Sequence, residues 1–177
     1  MTWRTNDSRI MYENAWISVR EDAVTGPAGD GIYGVVTLHH PAVFIVALDD
    51  QERVCLVTLD RYTVGRSVEV PAGGSDGEDA LIAAQRELLE ETGLRADEWI
   101  AIGTMNALNG VTVAPEHVFL ARGLHAADGG ALEEEGIEDV AWVHFDEVLS
   151  MIADGRISDG ETVAALAYAG IHLGRFR

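Results

Sequence analysis

Three carboxylates, Glu87, Glu90 and Glu91, stand at i, i+3 and i+4, with Arg86 directly before them. On a helix this spacing gathers all three on one side within a turn and a half. Like charges so placed repel, and a helix C-terminus already carries partial negative charge. A divalent cation would remove the conflict, because hard ions such as Mg²⁺ take oxygen ligands and keep waters for phosphate chemistry. A solvated acidic face is the plainer alternative for a short charge run.

The element that must carry these residues is a helix over Asp79 to Leu94. Ala80, Leu81, Ala84, Leu88 and Leu89 give it an apolar stripe at helical spacing. Gly93 suits the left-handed position past a helix end, with Leu94 folding back onto Leu89 in a Schellman cap. Ahead of the helix, Pro71-Ala72-Gly73-Gly74-Ser75-Asp76-Gly77-Glu78 reads as a glycine-rich turn. It lacks both the GxGxxG of a dinucleotide loop and the Lys-Ser/Thr of an ATPase loop.

Spaced as they are, Glu78, Arg86, Glu87, Leu88, Glu90, Glu91, Gly93 and Leu94 match the Nudix box, and on these residues the chain resembles a Nudix hydrolase. One position departs: four residues separate Gly73 from Glu78, where the family usually has five. The resemblance extends to the ADP-ribose pyrophosphatase branch through Arg61 to Arg66, Glu69 to Gly73, Glu116 to Ala121 and Ile157 to Leu166. It implies an α+β fold, an α-β-α sandwich with a mixed sheet, preceded by an N-terminal β-hairpin. Residues 1–40 would be N-terminal strands exchanged across a homodimer, and 41–177 the hydrolase domain.

The same resemblance implies a site. Glu87 and Glu91 would be the main metal ligands, with Glu90 a ligand or a water-orienting base. The Ala72 carbonyl would add another oxygen, and the cofactor would be Mg²⁺ or Mn²⁺. Arg86 would hold a carboxylate in place, supported by Glu78 and Gly73. In this branch the general base often comes from a late loop, where Glu133, Glu134 and Glu135 are candidates and Glu135 is the choice. Arg61, Arg66 and Glu116 are expected to touch phosphate and ribose. The implied reaction is hydrolysis of the pyrophosphate bond of a small nucleoside diphosphate sugar, ADP-ribose giving AMP and ribose 5-phosphate. Another sugar nucleotide is the nearest alternative. A ligand sensor without catalysis is a further one, although such proteins generally lose box carboxylates and this chain has them all.

The chain has 177 residues, suited to one domain, and 47% hydrophobic content suits a proper core. Its formal net charge of −18 repels phosphate backbones and anionic membranes, so neither nucleic acid nor a membrane is an expected partner. Cys55, the sole cysteine, lies in the apolar run Val54 to Val57 and reads as core. With no signal-peptide core and no apolar run long enough to span a membrane, the expected compartment is the cytoplasm.

Strands are expected within 9–24 and over 32–38, separated by a turn at Gly26 to Gly31, then over 43–48, 53–59, 67–70, 99–102, 118–121 and 140–143. Residues 107–115 read as a loop and 128–139 as a mobile solvent loop. Asp146 is expected to cap a helix through Ile152, and Ser158 or Asp159 to start the last one. Trp16 and Tyr33 suit either base stacking or a core. The histidines lack zinc-ligand spacing.

Overall fold

The computed structural model describes residues 2–176. In chain order its elements begin with β1 (Arg4–Glu13), β2 (Ile17–Gly26), β3 (Gly29–Leu38), β4 (Ala42–Ala47) and β5 (Arg53–Arg61). Next come β6 (Gly65–Glu69), β7 (Ala72–Gly74), α1 (Ala80–Thr92), β8 (Leu94–Asn106) and β9 (Thr112–Val113). The last are β10 (Pro115–Ala126), β11 (Ile137–His144), α2 (Phe145–Ala153) and α3 (Gly160–His172). Two compact units result: one runs to Pro41 and takes in Asn106–Pro115, and the other holds Ala42–Met105 and Glu116 onward.

In the first unit, β1, β2 and β3 form an antiparallel meander, and β9 adds to β3 in parallel. The 107–115 stretch, read as a loop, therefore contributes a short strand. The β2–β3 turn is also tighter than expected: Gly26 pairs with Gly29, leaving Pro27 and Ala28 as a two-residue connection. Gly29 sits at φ 104°, which favours glycine. Trp3 stacks edge-on to Tyr33, whose hydroxyl donates to the Gly110 carbonyl. Tyr33 is thus used inside this unit, whereas Trp16 is exposed.

The second unit holds two sheets, β7-β4-β10-β8 and β11-β5-β6. In the first, β4 and β10 are parallel, and β7 is antiparallel to β4. Side chains on a strand alternate between faces, and here both faces are apolar. Val43, Ile45, Ala47, Phe119 and Ala121 pack with Ala83, Ala84 and Leu88 of α1. Phe44, Val46, Leu48, Val118 and Leu120 pack with Phe145 and Val148 of α2 and with Ala165, Leu166 and Ala169 of α3. A continuously apolar β4 is what a strand covered on both sides requires. The unit is an α+β sandwich with helices on both faces.

Several local details differ from the sequence reading. The buried stripe of α1 runs through Ala83, Ala84, Glu87, Leu88 and Glu91, and Leu81 is exposed. The helix closes by one bond, Gly93 N–H to the Leu89 carbonyl at 2.8 Å, the simple αL motif rather than a Schellman pair. Leu94 turns toward the cluster containing Leu88, and its N–H donates to Thr92 Oγ1. His144, not Asp146, occupies the cap position of α2. Asp159 does cap α3, its Oδ2 accepting from Thr162 N–H at 2.7 Å, a contact worth about 1 kcal/mol.

The 128–139 stretch is held in place, because it and the preceding Ala127 satisfy carbonyls left over at the C-terminus of α1. Ala131 N–H donates to the Glu90 carbonyl at 2.8 Å and Ala127 N–H to that of Gly93 at 2.9 Å. Its own turn closes through Glu135 N–H to Ala131 O and Ile137 N–H to Leu132 O.

Candidate active site

The glycine-rich turn delivers the chain from β7 to α1 by a sharp reversal. Asp76 and Gly77 both lie at positive φ, 49° and 84°, and Glu78 N–H donates to the Ser75 carbonyl at 2.8 Å. Two consecutive positive φ values make this the kind of turn that Asp-Gly suits. It gives the short spacing between Gly73 and Glu78 a physical basis. Asp79 then caps α1, accepting from Leu81 N–H.

Because α1 packs its carboxylate-bearing side inward, Glu87 and Glu91 are only 6% and 5% exposed. Glu91 Oε2 accepts from the Ala72 N–H at 2.9 Å. Glu87 lies against Gly73 so closely that a Cβ there would overlap its carboxylate, so this position must be glycine for Glu87 to sit where it does. Arg86 ties the cluster together. Its Nη1 donates to Glu87 Oε1 and Glu90 Oε2, both at 2.8 Å, its Nε to Glu78 Oε2 at 3.1 Å, and its Nη2 to the Gly74 carbonyl at 2.8 Å. One guanidinium thus joins helix start, helix end and turn by charge-assisted bonds.

Electrostatics follow from this burial. Burial pushes the Glu91 carboxyl up to about 8, the Ala72 N–H opposing it and the charges of Glu87 and Glu135 adding to it. Glu87 is also raised by burial, with Arg86 opposing and Glu90 and Glu135 reinforcing. Burial works against the charge on Arg86, but its bonds to Glu90 and Glu78 and the charge of Glu87 outweigh it and hold the guanidinium above its ordinary range. Glu135 is exposed, yet its charge is felt at both buried carboxylates.

The donors suit a hard divalent cation by their chemistry: carboxylate oxygens, partly desolvated and in mutual repulsion, beside a backbone bend rich in carbonyls. Among the described residues, no three acidic, histidine or cysteine side chains converge on one point as they stand. Arg86 engages Glu87 and Glu90, and the Ala72 amide engages Glu91.

A cavity of about 470 Å³ adjoins this cluster at Ala72 and Gly73. Its floor is the register row of Ala72 opposite Phe44 and of Ala42 opposite Glu116, and its walls come from β6, the β5–β6 turn and the start of α3. Val70 N–H donates to Thr162 Oγ1 at 3.2 Å, which pins the first turn of α3 to the strand leading into the box.

Of the expected substrate contacts, Arg61 and Glu116 line this cavity and Arg66 does not. Arg66 is on β6, 71% exposed, with its Nε 3.5 Å from Glu138. Arg61 donates from Nε and Nη2 to the two oxygens of buried Glu69, at 3.1 and 2.6 Å, and this fork raises its pKa. Glu116 is 5% exposed, and its Oε2 has no hydrogen-bond partner among the described residues. Burial, with the charges of Glu161 and Asp159, pushes its pKa up to about 7.

Sequence reasoning passed over Glu69, Ser67, Asp159 and Glu161 as site residues. Glu69 did leave a signal, an acidic residue set between two valines, Val68 and Val70. Glu161 left none, since an acidic first turn is ordinary helix chemistry.

Comparison with known proteins bears on the same residues. Residues 38–166 match the NUDIX domain, and residues 3–36 match the nucleoside diphosphate sugar hydrolase N-terminal domain. An ADP-ribose pyrophosphatase of Mycobacterium tuberculosis is 34% identical over 173 residues, spanning 96% of this chain and 81% of its own. A GDP-mannose pyrophosphatase of Yersinia enterocolitica is 35% identical over 112 residues, 61% of this chain and 58% of its own. A crystal structure of an ADP compounds hydrolase superposes with a TM-score of 0.86 at 18% identity, covering 99% of this chain and 96% of that one. The domain match takes in both the carboxylate helix and the cavity, and the chain belongs to the Nudix hydrolase family.

Proposed function

We propose that the protein hydrolyses the pyrophosphate bond of ADP-ribose, giving AMP and ribose 5-phosphate, with Mg²⁺ as the working cation and Mn²⁺ as a substitute. The observation that carries this reading is the pair of buried carboxylates, Glu87 and Glu91, set beside a polar cavity large enough for a sugar nucleotide fragment. The likeness to an ADP-ribose pyrophosphatase over nearly the whole chain supports the choice of substrate.

Nudix hydrolases depend on a divalent metal, which lowers the pKa of a bound water and neutralises non-bridging phosphate oxygens. Glu87, Glu91 and the Ala72 carbonyl would hold it, with Glu90 beside them. Arg86 keeps the carboxylates apart and in register. Arg61, already oriented by Glu69, meets phosphate charge, and Glu135 takes the proton of the attacking water. The N-terminal strands, residues 1–40, pair with a second copy, and residues 41–177 carry the hydrolase. The free, buried Cys55 suits the cytoplasm. A second reading, another sugar nucleotide, is favoured by the likeness to a GDP-mannose pyrophosphatase.

The test is product analysis with Mg²⁺ and a panel of ADP-ribose, other sugar nucleotides, dinucleotides and nucleoside triphosphates. AMP and ribose 5-phosphate should form fastest from ADP-ribose. Glu91→Gln should lose about 1000-fold in rate, as expected for several kcal/mol of metal-derived stabilisation. Faster cleavage of another sugar nucleotide moves the substrate assignment. No cleavage of anything in the panel overturns the reading.

A further inference from the structure

Asn109-Gly110 serves neither the box nor the cavity, and it is the only Asn-Gly pair in the chain. The two are the central residues of a turn that closes through Val111 N–H to the Leu108 carbonyl at 2.8 Å. Thr112 braces the turn on one side. Its N–H donates to the Leu108 carbonyl at 3.0 Å, and its Oγ1 to the carbonyls of Ala107 and Leu108. Tyr33 braces it on the other, its hydroxyl donating to the Gly110 carbonyl. Leu108 sits at φ 47°, which a bulky side chain rarely adopts, so these bonds hold a strained backbone in place.

Between the braces two reactive groups are left free. Neither the Asn109 side chain nor the Gly110 N–H has a hydrogen-bond partner among the described residues, and both residues are exposed. Nothing lies within 4 Å of where a Gly110 Cβ would stand, so no side chain screens its nitrogen. The other asparagines lack this combination. Asn6 Nδ2 donates to Thr25 Oγ1 and its Oδ1 accepts from Arg4 Nε, both at 2.9 Å. Asn14 Oδ1 accepts from the Trp16 and Ile17 N–H groups, also at 2.9 Å. Asn106 ends β8 and precedes Ala107, whose methyl group crowds the nitrogen that would have to react.

We propose that Asn109 is a site of spontaneous deamidation, which converts the 108–111 turn to an acidic form and releases Tyr33 from it. The Gly110 nitrogen attacks Asn109 Cγ. A new N–C bond forms, the Cγ–Nδ2 bond breaks, and ammonia leaves with the proton of the Gly110 amide. Water then opens the cyclic imide at either carbonyl, leaving aspartate or isoaspartate at this position. Both products add a negative charge. Isoaspartate also routes the main chain through the former side chain and lengthens it by one atom. The Leu108–Val111 bond and the Tyr33 contact then no longer fit together, and Leu108 is free to leave its strained φ. The turn is thus a one-way chemical switch in the first unit, separate from hydrolysis at the box.

The test is peptide mapping by mass spectrometry of the whole chain, aged in mildly acidic and mildly alkaline buffer, with isoaspartate counted by methyltransferase labelling. Conversion at Asn109 should outpace that at Asn6, Asn14 and Asn106 by about tenfold or more. It should be faster in the alkaline buffer, where the attacking nitrogen is more readily deprotonated, and should give both products. Gly110→Ala should suppress it without unfolding the turn, because Gly110 has no positive φ and its Cβ position is open. In aged chains, hydrogen exchange should speed up at the Val111 amide and at the Val36 amide, which donates to the Val111 carbonyl.

Equal conversion at all the asparagines overturns the proposal, as does conversion of Asn109 only after unfolding in urea, which would mean that the turn protects it. Aspartate without isoaspartate would replace the imide route by direct hydrolysis and overturn it too. Deamidation with unchanged exchange at Val36 and Val111 would overturn the release of Tyr33.

Discussion

Glu116 is an acid that the fold would hold more cheaply if it were neutral. Its carboxyl is raised to about 7 from an ordinary 4.5, by burial and then by Glu161 and Asp159. The folded state therefore binds this proton more tightly than the unfolded chain does. Below about pH 4.5 both states carry it and Glu116 costs nothing. As pH climbs from there to about 7 the cost grows, and above that it levels off near 3 kcal/mol at most. Glu116→Gln, always neutral, should be no more stable than wild type at pH 4 and clearly more stable at pH 8. Urea unfolding at the two pH values measures the difference. Equal gains at both would mean that ionisation of this group is not what strains the site. A substitution that stabilises the protein while weakening substrate binding is the expected signature of a residue kept for binding.

At the level of elements, the box helix depends on what covers its end. The 127–136 segment donates N–H groups to Glu90 and Gly93 and packs Gly130 onto the Gly93 backbone, which brings the charge of Glu135 to bear on Glu87 and Glu91. A Cβ at Gly130 would stand 3.2 Å from Gly93 Cα and 3.1 Å from Leu132 Cδ1, and the backbone contact cannot give way as a flexible side chain would. Gly130→Ala should thus lift the segment from the helix end. Hydrogen exchange should speed up at Ala127, Ala131 and Glu135 amides, while the amides of β4 and β10 stay protected. Unchanged exchange at those three amides would show that the segment is held by something else. The same region marks the limit of sequence reading. Gly93 and the carboxylate spacing announce a helix and its stop locally, so α1 and the Arg86 network were legible. The cover over the helix end was not, because a run of Glu and Gly looks solvated until the carbonyls it satisfies are known. The inward face of α1 was likewise misjudged by choosing Leu81 over Ala83, since its burial is shared with two carboxylates that hydrophobicity alone assigns to water. The far wall of the cavity brings together Arg61, Glu116 and Glu161, residues many tens of positions apart. No local pattern links them; the parallel pairing of β4 with β10 and the docking of α3 do.

For the molecule as a whole, the charge of −18 and the bare apolar surface of the N-terminal strands pull in opposite directions. Trp3, Ile10, Met11, Tyr12, Trp16 and Ile32 are all exposed, and every residue of β1 is exposed. That is the kind of surface a second copy would cover. Residues 1–41 hold three arginines against five carboxylates, so this segment carries little of the excess acid that would push two copies apart. A homodimer formed there would be driven by apolar burial and opposed by long-range repulsion. The two contributions respond differently to salt, because screening weakens the repulsion and leaves the apolar term intact. Sedimentation equilibrium should give twice the 19.1 kDa of the chain, with the dimer tightening between about 0.05 M and about 0.5 M salt. Ile10→Glu should shift the population toward monomer at every salt concentration, since it adds both charge and polarity to the covered face. Dissociation on adding salt would instead reveal an interface held by ion pairs such as Arg9 and Glu21, and a monomer under all conditions would leave the exposed strand without this partner.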